Sequence, residues 1–198
     1  MPKRELRRGD LAVDPLEQFR VWFAEAGAVV ETPEAMALAT ATADGAPSVR
    51  MLLLKRFDER GLVFHTHYTS RKGVELEANP RAALLFHWSP LGRQVRVEGR
   101  GERLPEEESD AYFATRPRGA QIGALASRQS EPLDSRATLE QRIAELEDTT
   151  PERPATWGGY RVVPDAWEFW QRGDSRLHDR FRYEREPSGG WLIERLFP

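Results

Sequence analysis

The densest group of chemically useful side chains lies near the C-terminus, in residues 170–180. If residues 176–186 form a strand, Arg176, His178 and Arg180 occupy every second position and share one face. Two cations with an imidazole between them suit an anionic, planar ligand. The alternative is an edge strand whose arginines are simply solvated.

Two basic groups further upstream suit a phosphate. Arg50 and Lys55 enclose an apolar run, although their opposite parity places them on opposite faces of a flat strand. Residues 70–72, Ser-Arg-Lys, open a predicted helix, where unpaired N–H groups and the helix dipole favour an anion. End-of-strand charges and an ordinary serine cap are the alternatives, so neither group identifies a ligand by itself.

A phenol and a guanidinium fall within one predicted helix. Tyr112 and Arg116 are four residues apart, which on a helix places them on the same face. Together they can bind one phosphate through charge-assisted hydrogen bonds. A cation–π or packing pair is the alternative.

The composition excludes several classes of protein. The chain has 198 residues and a formal net charge of -3, so no general field attracts nucleic acid or an anionic membrane. It has no cysteine, which excludes disulfides and thiolate chemistry. His65 and His67 lack a third ligand at a suitable spacing, so no metal site is predicted. No apolar run approaches the roughly 20 residues that cross a bilayer, and we expect a cytoplasmic protein.

The order of the predicted elements indicates a small β-barrel with peripheral helices. Residues 1–13 are predicted to form a mobile basic arm, and residues 14–198 a single domain. Asp14 and Pro15 start a helix that Gly27 ends in a left-handed conformation. Further helices are predicted at 70–78, 105–115 and 135–148, and strands at 36–42, 48–57, 62–68, 81–88, 93–104, 160–171, 176–186 and 191–196.

In combination these segments resemble a known family, the pyridoxamine (pyridoxine) 5'-phosphate oxidases, over residues 14–198. The resemblance implies a split β-barrel homodimer with two FMN molecules at the subunit interface. One ligand at the interface can then contact side chains of both chains. Arg50 and Lys55 can therefore serve the same ligand although their parity places them on opposite faces of a flat strand. The motifs that carry the resemblance are RMLLLK at 50–55, SRK at 70–72, RQV at 93–95, YF at 112–113, RPR at 116–118, QIGA at 121–124, SRQS at 127–130, WGG at 157–159, EFW at 168–170 and RLHDR at 176–180.

The resemblance also implies which residues contact which ligand. Lys55, Tyr112 and Arg116 match the residues that bind the substrate phosphate. Arg176 and His178 match those that meet the pyridine ring and the carbon being oxidised, and they are the expected catalytic residues. The residues expected to hold FMN are Arg50, Met51, Leu52, Leu53, Leu54, Lys55, His65, Thr66, Arg71, Lys72, Gln94, Gln129, Ser130, Trp170 and Arg180.

The implied reaction is the oxidation of pyridoxamine 5'-phosphate or pyridoxine 5'-phosphate to pyridoxal 5'-phosphate, in vitamin B6 biosynthesis and salvage. The substrate C4' passes a hydride to flavin N5, and O2 takes the electrons to give H2O2. The amine substrate also releases ammonia. The protein supplies orientation and charge.

Two positions depart from the family pattern. Ala120 stands where a serine contributes to the substrate phosphate site, and His65 stands where a tyrosine is common. Losing one hydrogen bond to a charged group costs about 1.5–3 kcal/mol unless another donor replaces it. Gly119 leaves the backbone free to supply a main-chain N–H, and a backbone contact at His65 tolerates the change of side chain.

Three other functions are alternatives. Another oxidase on the same barrel, such as the flavoprotein of phenazine biosynthesis, need not bind a substrate phosphate, and Lys55, Tyr112 and Arg116 argue against it. Ala120 is the only support for a flavin-binding or pyridoxal-phosphate-binding protein without turnover. Nucleic-acid binding through the basic arm is disfavoured by the net charge of -3.

Overall fold

The computed structural model describes residues 5–198, and its centre is one antiparallel sheet of nine strands. The strands are β1 (Ala35–Ala41), β2 (Pro47–Leu53), β3 (Arg56–Asp58), β4 (Gly61–His67), β5 (Arg81–Trp88), β6 (Arg93–Arg103), β7 (Trp157–Gln171), β8 (Asp179–Arg185) and β9 (Trp191–Leu196). The α-helices of the described chain are α1 (Pro15–Gly27), α2 (Arg71–Ala78), α3 (Glu106–Thr115), α4 (Arg118–Ala126) and α5 (Arg136–Glu145). The fold is therefore mainly β with peripheral helices, as predicted.

The sheet divides at β7, which pairs with three other strands. Its order is β2-β1-β5-β6-β7-β4-β3, with β8 and β9 attached through β7. One edge of β7 pairs with β6 along most of its length. The other edge pairs with β4 over residues 157–162 and with β8 over residues 166–171. A register shift between Glu98 and Gly99, opposite the change of partner, marks a β-bulge.

Helix α1 covers the inner face of the sheet with aromatic side chains. The Asp14 side chain accepts a hydrogen bond from the Leu16 N–H at 2.8 Å, and Pro15 is the first helical residue, as predicted. The left-handed end at Gly27 is wrong, because Ala28 follows with φ -79° and continues the right-handed turn. Phe19 is 0 % exposed, and its ring centroid lies 4.9–6.1 Å from those of Phe23, Phe57, Phe86, Trp88 and Trp167.

The predicted strand over residues 48–57 is interrupted. The Leu54 N–H donates to the Glu34 carbonyl at 2.9 Å, whereas the Lys55 N–H donates to the Val63 carbonyl at 2.8 Å. The chain therefore changes hydrogen-bonding partner between β2 and β3. Arg50 and Lys55 therefore do not belong to one strand, and the expectation that they lie on opposite faces of a strand does not hold.

The region between residues 105 and 148 contains one helix more than predicted. Helix α3 ends at Thr115, and the additional helix, α4, begins at Arg118, directly after Pro117. A proline just before a helix loses no helical hydrogen bond, so it can precede a new helix as readily as end an old one. Helix α5 is shorter than predicted, and Ile143 on its apolar stripe is 38 % exposed.

The predicted N-terminal arm lies partly outside the described residues, since residues 1–4 are not included. From residue 5 onward the chain lies against the barrel. Leu6 and Leu11 are each 7 % exposed and belong to the main hydrophobic cluster. The Leu6 N–H donates to Asp179 Oδ2 at 2.9 Å. Residues 5–13 are thus docked on the domain rather than separate from it.

Two further properties concern residues 5–198 as a whole. No helix in this range is long and apolar enough to cross a membrane. The same range contains no group of three or more His, Asp or Glu side chains arranged to hold a metal ion.

We predict that Phe19→Ala destabilises the protein by about 3–5 kcal/mol, because it leaves a cavity among five aromatic rings. Urea unfolding followed by tryptophan fluorescence measures the change. Val21→Ala on the same helix is the control, since Val21 is 52 % exposed and its truncation should cost less than about 0.5 kcal/mol. Equal losses for the two variants would contradict this account of the core.

Candidate functional site

The first group of predicted site residues forms a groove that we call the basic cradle: Arg50, Arg71, Lys72, Gln129 and Ser130. These residues come from β2, from the first turn of α2 and from the loop after α4. Lys72 Nζ donates to Gln129 Oε1 at 2.7 Å, and the Arg71 N–H donates to Ser130 Oγ at 3.2 Å. Three segments that are distant in sequence therefore meet in one groove.

A carboxylate that sequence reasoning missed, Glu75, organises the cradle. Its side chain is 3 % exposed and lies 3.3 Å from Arg50 Nη2 and 2.8 Å from Arg71 Nε. The hydroxyls of Ser48 and Thr40 also donate to it. Burial alone would raise the pKa of Glu75, but these hydrogen bonds lower that pKa to about 2. Glu75 lies four residues after Arg71 on α2, a spacing that allows an ion pair along a helix, and this spacing could have identified Glu75 from the sequence.

Lys72 is the most buried cation of the cradle, at 5 % exposure. Its Nζ also donates to Thr66 Oγ1 at 3.2 Å and to Ser70 Oγ at 3.1 Å. Burial and then the Arg50 guanidinium lower the pKa of Lys72 to about 8, although Glu75 opposes the shift. An anion in the cradle would stabilise the charged form of this lysine.

The second group, which we call the stacked pocket, consists of Lys55, His65, Tyr112, Arg116 and Trp157. The ring centroid of His65 lies 3.9 Å from that of Tyr112 and 5.3 Å from that of Trp157. Arg116 Cζ lies 4.7 Å from the Trp157 ring centroid. Burial, followed by repulsion from Arg116, lowers the pKa of His65 to about 4, so the imidazole is neutral at pH 7.

The prediction that Tyr112 and Arg116 share a helix face is wrong. Helix α3 ends at Thr115, and Arg116 has the extended conformation φ -73°, ψ 146°. Its guanidinium packs over the rings of Trp157 and Phe113. The two side chains still border one pocket, because Tyr112 and Arg116 both lie against Trp157.

The basic cradle and the stacked pocket lie on opposite faces of β4. Thr66 accepts a hydrogen bond from Lys72, whereas the preceding residue, His65, stacks on Tyr112. Consecutive side chains of a strand point to opposite faces. One strand therefore separates two places where basic side chains gather.

The third group follows β7, and its backbone differs from the prediction. Residues 174–176 form a short 3-10 turn in which Ser175 and Arg176 have φ values of 51° and 64°. Strand β8 starts only at Asp179. Arg176 and His178 therefore lie in a connection, and the predicted strand face is wrong for them, because left-handed backbone cannot continue a strand.

Hydrogen bonding and ring contact fix His178 within this connection. Its Nδ1 accepts a hydrogen bond from the Gly173 N–H at 3.2 Å. Its ring centroid lies 4.6 Å from that of Trp170. Because Nδ1 is an acceptor, the neutral imidazole carries its proton on Nε2.

Gln94, Trp170 and Arg180 lie side by side across β6, β7 and β8. Arg180 Nε donates to Glu168 Oε1 at 2.8 Å, and its Nη1 donates to the Phe197 carbonyl at 3.0 Å. Glu168 is 4 % exposed. This buried carboxylate fixes the position of Arg180.

The predicted apolar site residues of β2 have two different environments. Leu52 packs against the core and Leu54 is 5 % exposed. Met51 and Leu53 are 65 % and 40 % exposed and point away from the core. Because these two side chains are exposed, the outer face of β2 is an uncovered apolar surface of the single chain. β2 is also an end strand of the sheet.

The third group lies far from the stacked pocket within one chain. His65 is paired with Gly159, near the start of β7, whereas Arg176 follows the end of β7 at Gln171. A strand rises about 3.3 Å per residue, so this separation along β7 is about 40 Å. Arg176 and His178 therefore follow the end of β7 that is opposite to the stacked pocket.

Comparison with known proteins places the chain in a family. Residues 23–150 match the family model described as pyridoxamine 5'-phosphate oxidase. Residues 157–198 match that of the pyridoxine 5'-phosphate oxidase C-terminal dimerisation region. The chain belongs to the pyridoxamine 5'-phosphate oxidase family. The predicted family and the predicted oxidase activity are thereby confirmed.

Several relatives of this family are similar over nearly their whole length. The pyridoxine/pyridoxamine 5'-phosphate oxidase of Cupriavidus taiwanensis is 56% identical over 197 residues, which cover 98% of this chain and 93% of the relative. The protein of the same name from Rubrobacter xylanophilus is 58% identical over 206 residues, covering 99% of this chain and 94% of the relative.

Solved structures of the family share the fold. PhzG from Burkholderia lata, in complex with tetrahydrophenazine-1-carboxylic acid, has a TM-score of 0.92 at 37% identity, with 98% of each chain covered. An FMN binding protein related to pyridoxamine 5'-phosphate oxidase, from Nostoc punctiforme, has a TM-score of 0.75 at 17% identity and covers 95% of this chain and 100% of its own. The predicted split-barrel fold is confirmed.

We predict that Glu75→Gln lowers the stability of the cofactor-free protein by up to about 3 kcal/mol at pH 7. The folded pKa of Glu75, about 2, lies below its ordinary value of 4.5, so its contribution is present above pH 4.5. That contribution is lost as the pH falls towards 2. Urea unfolding of both proteins across this range should show the difference disappear.

Glu77→Gln is the matched control, because Glu77 is on the same helix and its side chain is 62% exposed in its ion pair with Arg103. Its removal should cost less than about 1 kcal/mol. A loss for Glu75→Gln that does not change between pH 7 and pH 3 would contradict the assignment of Glu75 as a charged, hydrogen-bonded group.

Proposed function

We propose that the protein is a homodimeric enzyme that oxidises pyridoxamine 5'-phosphate and pyridoxine 5'-phosphate to pyridoxal 5'-phosphate, with FMN as cofactor and O2 as electron acceptor. The observation that carries this proposal is the presence of two basic sites on opposite faces of β4. The FMN cofactor and the substrate of this reaction are both phosphate monoesters. A protein with this activity therefore needs two phosphate sites a short distance apart.

The basic cradle has the donors and the charge that the FMN phosphate requires. Arg50, Arg71 and Lys72 supply three positive charges and Glu75 removes one, which leaves about two. A phosphate monoester carries a charge of about -1.5 to -2 at pH 7. Ser130 and Gln129 add neutral polar groups at the rim. Bound there, FMN supplies the hydride acceptor and the route by which electrons reach O2.

The stacked pocket suits the substrate phosphate. Arg116 and Lys55 supply positive charge, and the Tyr112 hydroxyl supplies a further donor. The Ala120 N–H already donates to the Pro117 carbonyl at 2.8 Å, so it does not replace the missing serine hydroxyl.

A second copy of the chain is needed to bring Arg176 and His178 to the pyridine end of the substrate. Within one chain the stacked pocket and these residues are about 40 Å apart along β7. The match of residues 157–198 to a dimerisation region supports assembly through this part of the chain. The uncovered apolar face of Met51 and Leu53 on β2 supports a further contact between copies.

Arg176 and His178 orient the substrate and stabilise its charge. The Arg176 guanidinium suits the anionic oxygen of the pyridine ring. His178 presents the Nε2 proton as a hydrogen-bond donor, because Gly173 holds Nδ1 as the acceptor. The same Nε2 proton can be donated to the substrate amine or alcohol.

A phenazine-type oxidase is the second candidate, because the structure of PhzG is similar to this chain at 37% identity. That name describes a protein bound to a carboxylic acid without a phosphate group. A substrate without a phosphate group does not need the cationic side chains of the stacked pocket. A binding protein without turnover would need neither His178 nor its fixed tautomer.

The test is oxygen-dependent formation of pyridoxal 5'-phosphate from both substrates by the FMN-loaded protein. We predict that Arg176→Ala lowers kcat/KM by about 100-fold, through loss of a charged hydrogen bond. Arg172→Ala is the control, because Arg172 is an exposed arginine in the same connection. Binding of FMN without turnover by the unaltered protein would favour one of the other candidates.

We predict that Arg116→Ala and Arg176→Ala complement each other in mixed dimers. Each variant alone lacks one residue in both sites, whereas a mixed dimer has one intact site. Random exchange makes half of the dimers mixed, so activity should recover to about a quarter of the unaltered value. No recovery after verified exchange would mean that both arginines of a site come from one chain.

A further inference from the structure

The imidazole of His65 is the most unusual polar group of the stacked pocket. Both ring nitrogens, Nδ1 and Nε2, are buried and have no hydrogen-bond partner among residues 5–198. The ring fits against Gly159 on β7, where a Cβ atom would approach Nε2 to 3.0 Å. A buried polar atom without a partner costs about 1–3 kcal/mol, so the arrangement is unfavourable in the absence of a ligand.

Stacking alone does not explain this histidine. A phenylalanine would make the same ring contacts with Tyr112 and Trp157 without burying two polar atoms. Arg116 presents a second unpaired group, since its Nη1 is also buried without a hydrogen-bond partner in the described part of the chain. Two unsatisfied groups in one pocket indicate a ligand that accepts hydrogen bonds from both.

The charges around His65 select the class of ligand. Arg116 at the end of α3, Lys55 between β2 and β3, and Arg56 on β3 all lower the pKa of His65, and Glu108 on α3 partly opposes them. Glu108 is itself paired with Arg56 and lies 3.5 Å from Arg161 on β7. The surroundings are thus positive, and they favour an anion over a neutral or cationic group.

We propose that the His65 side chain binds the substrate phosphate, with its neutral imidazole donating one N–H to a phosphate oxygen beside the Arg116 guanidinium. This inference rests on the proposed function, because it assigns the substrate phosphate to the stacked pocket. It replaces the expectation that His65 contributes only through its backbone. The neutral form suits the role, because it donates a hydrogen bond without repelling the adjacent cations.

Entry of the phosphate requires one side chain to move. Arg116 lies over the indole of Trp157 and follows the last residue of α3. Turning the guanidinium from the indole towards the phosphate brings its unpaired Nη1 to a phosphate oxygen beside His65. His65 then supplies a hydrogen bond at a site where Ala120 has no side-chain donor. The selectivity of the enzyme for phosphorylated over unphosphorylated substrate therefore depends on His65.

The test compares the FMN-loaded protein with its His65→Phe and His65→Gln variants. Isothermal titration with the unreactive analogue 4-deoxypyridoxine 5'-phosphate, and with the same analogue lacking the phosphate, measures binding without turnover. We expect His65→Phe to weaken binding of the phosphorylated analogue by about 10- to 100-fold and to leave the other unchanged. His65→Gln keeps an N–H donor and should lose less than about 10-fold.

Steady-state kinetics separate binding from chemistry. KM for pyridoxine 5'-phosphate should rise in His65→Phe with little change in kcat, because the phosphate contact is the same in the ground state and the transition state. FMN affinity, measured by flavin fluorescence, should not change. His87→Phe is the control, since His87 is exposed on β5.

Two outcomes would overturn the inference. In the first, His65→Phe binds both analogues as the unaltered protein does. In the second, it weakens both analogues equally, as general damage to the pocket would. If the unaltered protein does not prefer the phosphorylated analogue, the proposed function itself fails, and the measurement separates that result from a failure of the His65 assignment.

Discussion

The pairing of β7 with β4 and β8 along the same edge is the constraint on which the rest of the structure depends. On that edge residues 157–162 of the 15-residue strand pair with β4 and residues 166–171 pair with β8, so the sheet divides into two lobes. One lobe carries the stacked pocket and the other carries Arg176 and His178. The rigidity of a paired strand keeps these groups apart within a chain, and a ligand that needs both must lie between two chains.

Concentrated positive charge is the second constraint. Buried carboxylates and aromatic rings stabilise the cationic side chains. Glu75 neutralises part of the basic cradle and holds Arg50 and Arg71 in position. Glu168 likewise accepts a hydrogen bond from Arg180 and holds it in position. In the stacked pocket no carboxylate of residues 5–198 forms an ion pair with Arg116, and aromatic faces take that place. The guanidinium is therefore less firmly held there, which suits a site where a substrate enters and leaves.

Local signals predicted the elements well where side-chain pattern and capping agreed. Helix α1 begins at Asp14 and Pro15 as expected, and strands β5 and β9 have the predicted bounds. Errors arose where the backbone departs from regular structure. The left-handed residues Ser175 and Arg176 interrupt a segment whose alternation resembles a strand. Side-chain alternation does not encode that turn, because the Gly173 to His178 contact that accompanies it forms only in the folded chain.

The sequence by itself determined the family, the residue types of the predicted site and the positions of most elements, because motifs and periodicity are local properties of the chain. Tertiary structure decided which of these residues meet. It brought Glu75 to Arg50, placed His65 against Tyr112 with no described residue as a partner for either nitrogen, and put Arg176 beyond the far end of β7. These contacts depend on strand pairing and burial between residues far apart in sequence, and no local pattern specifies them.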